Sequence, residues 1–167
     1  MLKIPDIHTP RYSYGGGKII SELYGINFAK IYFKRFIIFR PHNVYGKDMG
    51  NEHVIPEFIE RFNKTRNKSN FTIQGSGNEI RSFIYIDDFI KGFDRIYQKG
   101  KNLEIYNIGT DKKIKIINLV KILSEIFNKK IIINKKKLLK GSPSKRCPDI
   151  NKIKKIGFKP AISLKEG

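Results

Sequence analysis

Tyr14 and Lys18 are the two residues whose types and spacing most suggest chemistry. They bracket three consecutive glycines in the stretch YSYGGGK. Residues four apart lie on one face of a helix, and an ammonium group beside a phenol favours the phenolate, so this pair could transfer a proton. The alternative is a chance pair on a solvated helix face, and the spacing alone favours that alternative.

The glycine run between Tyr14 and Lys18 needs a reason, because each glycine costs a helix interior roughly 1 kcal/mol relative to alanine. A Walker phosphate loop is excluded, since Tyr12 stands where the upstream glycine is needed and Ile19 where Ser or Thr should follow the lysine. The later segment GSGNEI also fails as G-x-G-x-x-G, because Ile80 occupies the last glycine position. We therefore expect the glycines to leave one helix face bare, so that a flat ligand can approach the backbone.

The charge of the chain is the strongest feature of its composition. Its 167 residues carry a formal net charge of +19, with 40% hydrophobic residues, which is typical of a globular domain with a core. Such a charge attracts nucleic acid, anionic membranes or small anions such as nucleotide diphosphates. Only residues 129–146 form a dense basic run, and no nucleic-acid-binding motif accompanies it, so we expect no nucleic-acid partner.

The compartment and membrane relations follow from simple counts. The single cysteine, Cys147, excludes an intrachain disulfide and fits a reducing cytoplasm. No run of 18 apolar residues and no apolar signal region are present, so we expect a cytoplasmic protein without a membrane partner. His42 and His53 lack metal-ligand spacing, and we expect no metal site.

Hydrophobic periodicity predicts alternating helices and strands, and therefore an α/β class. The apolar run FIIF at residues 36–39 is typical of a buried parallel strand. The remaining elements are predicted as follows: helices over residues 12–33, 53–67, 89–98 and 116–127, and strands in FTIQ, SFIYI, EIYNI and residues 130–133. An acidic pair, Asp87 and Asp88, stands where the third of these helices begins.

Longer segments carry a resemblance to a known family. The stretch SYGGGKIISE resembles the Y-x-x-x-K helix of extended short-chain dehydrogenases/reductases, in particular NAD-dependent epimerases/dehydratases that modify nucleotide sugars. In family order, five further stretches resemble later parts of those enzymes: IIFRPHNVYGKDMG, HVIPEFI, IQGSGNEIRSFIYIDDFIKG, IYNIGT and GSPSKRCPDINKIKKIGFKPAISLKEG. Together they cover nearly the whole chain.

The resemblance implies a role for each matching position. Tyr14 would be the acid/base on a sugar hydroxyl, and Lys18 would hold the nicotinamide ribose and favour the tyrosinate. Pro41 and His42 would lie beside the nicotinamide of NAD. The implied contacts to the nucleotide-diphosphate sugar substrate are made by Asn43, Val54, Ile55, Arg81, Arg146 and Asp149. Without the family, the arginines are solvated charges and Asn43 a turn former.

The resemblance also implies an architecture. Residues 1–52 would be the remnant of a Rossmann domain with the Y-x-x-x-K helix and the following strand. Residues 53–167 would be mainly a small α/β substrate-binding region, with some strands returning to the Rossmann sheet. The N-terminal dinucleotide-binding half, with its G-x-x-G-x-x-G loop, is absent from these 167 residues. We therefore expect a fragment with uncovered apolar surface, which is poorly stable unless another polypeptide supplies that half.

The functional hypothesis is a partial NAD-dependent nucleotide-sugar epimerase/dehydratase, inactive alone, that works through a keto-sugar. The alternatives are a non-catalytic nucleotide-sugar-binding remnant and a basic nucleic-acid-binding protein. Epimerisation, dehydration and decarboxylation stay open, although the tail GSPSKRCPD inclines toward an epimerase or decarboxylase. The expected partners are the sugar nucleotide, a separate N-terminal half and, in the intact family, a second copy in a homodimer.

Overall fold

The computed structural model describes residue 8 and residues 10–138 and 142–167. The helices in these ranges are α1 (Pro10–Tyr32), α2 (Val54–Lys64), α3 (Ile86–Lys99), α4 (Ile116–Ile126) and α5 (Asn151–Lys155). The strands are β1 (Ile38–Pro41), β2 (Val44–Tyr45), β3 (Ser69–Gln74), β4 (Ile80–Arg81), β5 (Ile84–Tyr85), β6 (Ile105–Ile108), β7 (Ile114–Lys115), β8 (Ile131–Lys136) and β9 (Lys145–Arg146). No helix in these ranges combines the length and the apolar composition needed to cross a membrane.

The described strands pair mostly in parallel, as expected for an α/β protein. Three parallel pairs form, β1 with β6, β2 with β5 and β3 with β8. A mixed sheet has the order β7–β4–β9, in which β4 runs antiparallel to β7 and parallel to β9. Because β6 pairs with β1, the chain returns after about 65 residues to the strand that follows α1.

Local sequence explains where two of the helices form. Asp87 and Asp88 occupy the first turn of α3 and Lys99 its last turn. Negative charge at the start of a helix and positive charge at its end both interact favourably with the helix dipole. In α2, Glu57 pairs with Arg61 at 3.0 Å four residues later, in the favourable acid-before-base order. These local preferences agree with the hydrophobic pattern, which is why the sequence located both helices.

The described side chains bury two hydrophobic clusters. The larger joins α2, α4 and β3, where the rings of Phe62 and Phe71 lie 4.5 Å apart and are almost fully buried. The smaller cluster joins α3, β6 and the C-terminal segment, which is residues 150–162, through Ile96, Ile108 and Phe158. Asp88 fastens that segment, because its buried carboxylate accepts hydrogen bonds of 2.7 Å from the backbone N–H groups of Ala161 and Ile162.

Helix α1 contrasts with this packing. Among its described side chains, Ala29 is the one hydrophobic residue that is fully buried. A row of large apolar side chains on the helix is more than half exposed: Tyr14, Ile20, Leu23, Tyr24, Phe28, Ile31 and Tyr32. The helix is attached to β1 by an ion pair in which Arg40 Nε donates to Glu22 Oε1 at 2.7 Å.

Most predicted elements form, with shifts of a few residues, but the strand predicted at residues 36–39 needs correction. It begins two residues later, at Ile38, and it is not buried, since Phe39 is 39% exposed. Its parallel pairing was predicted correctly. The exposure arises because β6 is its one strand partner in the described residues, so much of its surface lies uncovered. The sequence also missed the two-residue strands β2, β4, β7 and β9 and the short helix α5.

Candidate active site

Tyr14 lies at a cavity of about 740 Å³ where α1 meets the loop after β1. Pro41, His42 and Asn43 line the same cavity at the carboxyl end of β1, and Arg146 reaches it from β9. Parallel strands bring their carboxyl ends together at one edge, where α/β proteins commonly bind ligands. The structure therefore brings together a phenol, an imidazole and a guanidinium from three distant parts of the chain.

The phenol and the ammonium predicted to work together are neighbours. The Lys18 ammonium nitrogen lies 5.4 Å from the centre of the Tyr14 ring, as expected for residues four apart on a helix. Tyr14 is 75% exposed. Apart from chain neighbours and the backbone of their own helix, no described atom lies within 4 Å of a Cβ built on Gly15 or Gly17. The two positions lie on nearly opposite sides of the helix, and each has room for a ligand atom.

His42 is held more firmly than Tyr14. Its backbone N–H donates to the Ile108 carbonyl at 3.0 Å, and its Nε2 lies 3.3 Å from Asn107 Oδ1. Burial lowers the pKa of His42, and the charges of Arg146 and Arg40 lower it further, against the hydrogen bond to Asn107, which raises it. The imidazole is therefore biased toward its neutral form.

Asn43 shapes the turn after β1. Its φ of +43° lies in the left-handed region that Asn tolerates better than most residues. Its amide donates to the Ser82 carbonyl at 2.8 Å, and its own carbonyl accepts from Ile84 N–H at 3.2 Å. Asn43 thus ties the cavity wall to β5, and this tie positions the residue that the resemblance assigns to the substrate.

A second cavity of about 200 Å³ adjoins the first, and Asn43 and Arg146 line both. Arg81 lines the second cavity, where its guanidinium donates to the Pro143 carbonyl at 2.9 Å and to the Ile80 carbonyl at 2.8 Å. Val54 and Ile55 at the start of α2 form the apolar wall. Ile55 belongs at the same time to the larger core cluster. Two guanidiniums beside an apolar wall suit a ligand with a charged and a flat part.

Lys18 and Asp149 lie outside these two cavities as the described residues define them. The Asp149 carboxylate accepts a hydrogen bond of 2.8 Å from Asn151 N–H at the start of α5, and its carbonyl accepts one from the Asn107 amide at 2.9 Å. Asp149 therefore acts here on the structure of its own segment. Its predicted contact with a nucleotide ribose stays a prediction.

Several residues of the larger cavity were not predicted from the sequence as site residues. Tyr45, Lys47, Met49, His53 and Ile86 line the larger cavity with the predicted residues. The first three lie inside the stretch IIFRPHNVYGKDMG, so the resemblance already covered their positions without assigning them roles.

Tyr45 is the most perturbed of these residues. Burial raises the pKa of Tyr45 to about 12, and Tyr85, Asp88 and Glu166 raise it by smaller amounts. In the described chain the buried Tyr45 hydroxyl has no hydrogen-bond partner.

No group of three or more potential metal ligands occurs in the described residues.

The parallel strand pairs and the cavity at their carboxyl ends define a Rossmann-type α/β protein. A model of the NAD dependent epimerase/dehydratase family matches residues 2–109, and the chain belongs to this family. It is 31% identical over 165 residues to human dTDP-D-glucose 4,6-dehydratase, covering 95% of this chain and 46% of that protein.

Two further relatives extend the comparison. A putative UDP-glucose 4-epimerase of Methanocaldococcus jannaschii is 34% identical over 173 residues, covering 99% of this chain and 54% of that protein. The crystal structure of UDP-glucuronic acid 4-epimerase from Bacillus cereus, in complex with UDP-glucuronic acid and NAD, superimposes with a TM-score of 0.82 at 28% identity. That superposition covers 92% of this chain and 49% of the epimerase. The chain thus spans about half the length of these relatives.

Proposed function

We propose that this chain supplies the proton-transfer pair and the nucleotide-sugar subsite of an NAD-dependent nucleotide-sugar epimerase/dehydratase. The observation that supports this proposal is the cavity lined by Tyr14, Pro41, His42, Asn43 and Arg146. These residues lie up to 132 positions apart in sequence, and the fold brings them to the same cavity. The related B. cereus epimerase, solved with UDP-glucuronic acid and NAD, supports the same assignment.

Tyr14 is the proton carrier in this proposal. Its hydroxyl accepts the proton of a sugar hydroxyl as that carbon is oxidised and returns the proton when the carbon is reduced. The Lys18 ammonium lies 5.4 Å from the centre of the Tyr14 ring, so a positive charge stands beside the proton carrier. Arg81 and Arg146 hold the diphosphate, while Val54 and Ile55 pack against the nucleotide.

The donor set fits the nicotinamide end of NAD. A phenol, an imidazole and an ammonium from Tyr14, His42 and Lys18 stand at or beside one cavity, with Pro41 as an apolar wall. NAD, when bound, would accept the hydride from the sugar carbon and return it. The dinucleotide-binding half would come from a polypeptide segment outside these 167 residues, either in the same protein or in a separate chain.

A second candidate function is binding without catalysis. One difference between two residues favours this candidate. Arg81, assigned to ligand binding, is held by hydrogen bonds to two carbonyls, whereas Tyr14, assigned to catalysis, is 75% exposed. A remnant of this kind would bind nucleotide sugars through Arg81 and Arg146 and would show no affinity for NAD. Both candidates share the same nucleotide-sugar subsite.

Complementation separates the two candidates. The chain is fused to, or mixed with, the N-terminal half of the M. jannaschii relative, and conversion of UDP-glucose is followed in the presence of NAD. We expect turnover that requires both halves. The matched control carries Tyr14→Phe and should bind UDP-glucose without converting it.

The outcomes are distinct. Binding of UDP-glucose without turnover in any combination would support the binding remnant. Absence of UDP-glucose binding by the combined halves would contradict both candidates. Tight, steeply salt-dependent binding of duplex DNA instead would favour the nucleic-acid alternative.

A further inference from the structure

The Asn107 amide has two hydrogen-bond partners among the described residues, and one of them fixes its orientation. Its Nδ2 donates to the Asp149 carbonyl at 2.9 Å, so its oxygen is the atom that faces His42. An amide oxygen accepts hydrogen bonds and never donates them. The contact of 3.3 Å between Asn107 Oδ1 and His42 Nε2 therefore requires the proton to be on Nε2.

A neutral imidazole carries one ring proton, so a proton on Nε2 leaves Nδ1 bare. The surroundings oppose a second proton. His42 is half-buried, and the cations Arg40 and Arg146 lie near enough to disfavour a positive ring. In the described chain, the other titratable groups lining its cavity are Tyr14, Tyr45, Lys47 and His53, and none of these is a carboxylate that would favour the imidazolium.

The strand register places His42 and Asn107 next to each other. Arg40 and Pro41 of β1 lie opposite Asn107 and Ile108 of β6, and His42 continues the ladder through its bond to the Ile108 carbonyl. The adjacent Gly109 keeps the approach close, since a Cβ there would come within 3.2 Å of His42 Cβ. The backbone on which each of the two side chains stands is therefore held by its contacts with the other strand.

We propose that Asn107 is a positioning residue that holds His42 in its Nε2–H tautomer, so that the ring offers Nδ1 as a hydrogen-bond acceptor at the cavity. The complementary ligand group is a donor, either a sugar hydroxyl or the N–H of an amide. This inference deepens the proposed function and rests on it for the identity of the ligand. The tautomer itself can be tested without turnover.

The test uses the full chain labelled with ¹⁵N-histidine. Long-range proton–nitrogen correlation spectra are recorded across the pH range in which imidazoles titrate, and His8→Gln and His53→Gln assign the other two histidines. We expect the neutral His42 ring to show one tautomer, protonated at Nε2. Asn107→Ala should give a mixture of both tautomers. Asn107→Asp, which puts a negative charge at Nε2, should raise the titration midpoint by about one pH unit or more.

The controls separate positioning from a purely structural role. If Asn107 only stabilised the fold, its variants would lower the melting temperature and leave the tautomer of His42 unchanged. A mixture of tautomers, or an Nδ1–H ring, in the unsubstituted chain would overturn the proposal even if every variant failed to fold. Failure of the complementation experiment would contradict the proposed function and leave this spectrum as it is.

Discussion

Arg81 and Arg146 are register partners on the adjacent parallel strands β4 and β9. Neighbouring strands lie about 4.8 Å apart, so two positive side chains start from adjacent points on the same face of the sheet. Like charges in such pairs are destabilising by a few tenths of a kcal/mol or more. A bound diphosphate would reverse the sign of this interaction, and both residues line the smaller cavity.

Arg146→Gln should therefore weaken binding of UDP about 10- to 100-fold, the usual worth of a charge-assisted hydrogen bond. The same change should leave the unliganded chain as stable as before or slightly more stable, because it removes a repulsion. Isothermal titration with UDP and thermal melting measure the two effects.

The matched control is Lys145→Gln. Lys145 precedes Arg146 on β9, is exposed and pairs with Ile80, so it points to the opposite face of the strand. Equal losses of UDP affinity in the two variants would show that overall positive charge, and not the paired arginines, attracts the ligand.

Tyr14→Phe tests the proposed role of Tyr14 as the proton carrier. Loss of a general acid/base costs about 10²- to 10⁴-fold in rate, and we expect a loss in this range for the complemented enzyme with UDP-glucose binding retained. Tyr24→Phe is the control, because Tyr24 is also an exposed tyrosine on α1 but does not line the cavities of the described chain. A Tyr14→Phe enzyme as active as the Tyr24→Phe enzyme would remove Tyr14 from the mechanism.

Sequence reasoning reached the parts of the site that depend on local spacing. The i, i+4 relation of Tyr14 and Lys18 on one helix predicted their proximity, and periodicity located α2, α3 and α4 to within a few residues. These features arise from interactions between residues close in sequence, which a single chain displays directly.

The parts that sequence reasoning missed depend on long-range pairing. Strands β4 and β9 contain two residues each and are joined by a register between Arg81 and Arg146, which lie 65 positions apart. Two residues cannot display a period, and nothing local marks the partner strand. The contact between His42 and Asn107 spans the same sequence distance and was missed for the same reason.

Gly15→Ala and Gly17→Ala should each stabilise the chain by roughly 1 kcal/mol, since alanine favours a helix and the added methyl meets no described atom within 4 Å. In the complemented enzyme each should lower turnover about tenfold or more if a ligand packs against that glycine, because small displacements of reacting groups are costly. Urea unfolding and UDP-glucose turnover are the two measurements.

Gly25→Ala is the contrast on the same helix. A Cβ at Gly25 would lie 2.7 Å from the Phe36 ring, so this variant should be destabilised. If Gly15→Ala and Gly17→Ala stabilise the chain and leave turnover unchanged, the glycine run does not serve ligand approach.

Glu79 should make stability depend on acid. It is buried, which alone raises the pKa of its carboxyl, but the hydrogen bonds that it accepts from Ser76 and Gly77 prevail and hold the pKa below the usual 4.5. A depressed pKa stabilises the folded chain above the unfolded value, and this stability is lost as the pH falls through the folded pKa.

The comparison is between Glu79→Gln and the unsubstituted chain in urea unfolding at several pH values. At neutral pH we expect the variant to be less stable by about 1–3 kcal/mol, because buried N–H groups lose a charged acceptor. The difference should shrink below pH 4.5. Glu52→Gln, at an exposed position, is the control, and a constant difference at all pH values would contradict the role of the Glu79 charge.

The apolar row on α1 should make the chain associate on its own. Leu23, Phe28 and Ile31 are each more than half exposed, and contiguous apolar surface of this kind marks an interface or an aggregation site. Leu23→Lys and Ile31→Lys should shift sedimentation toward the monomer and lower the fluorescence of a bound hydrophobic dye. Ile132→Lys on β8, at an equally exposed position, should change neither quantity. Adding the N-terminal half of a relative should suppress association in the same way, because it would cover this helix. A monomeric, cooperatively melting chain without these substitutions would contradict the prediction.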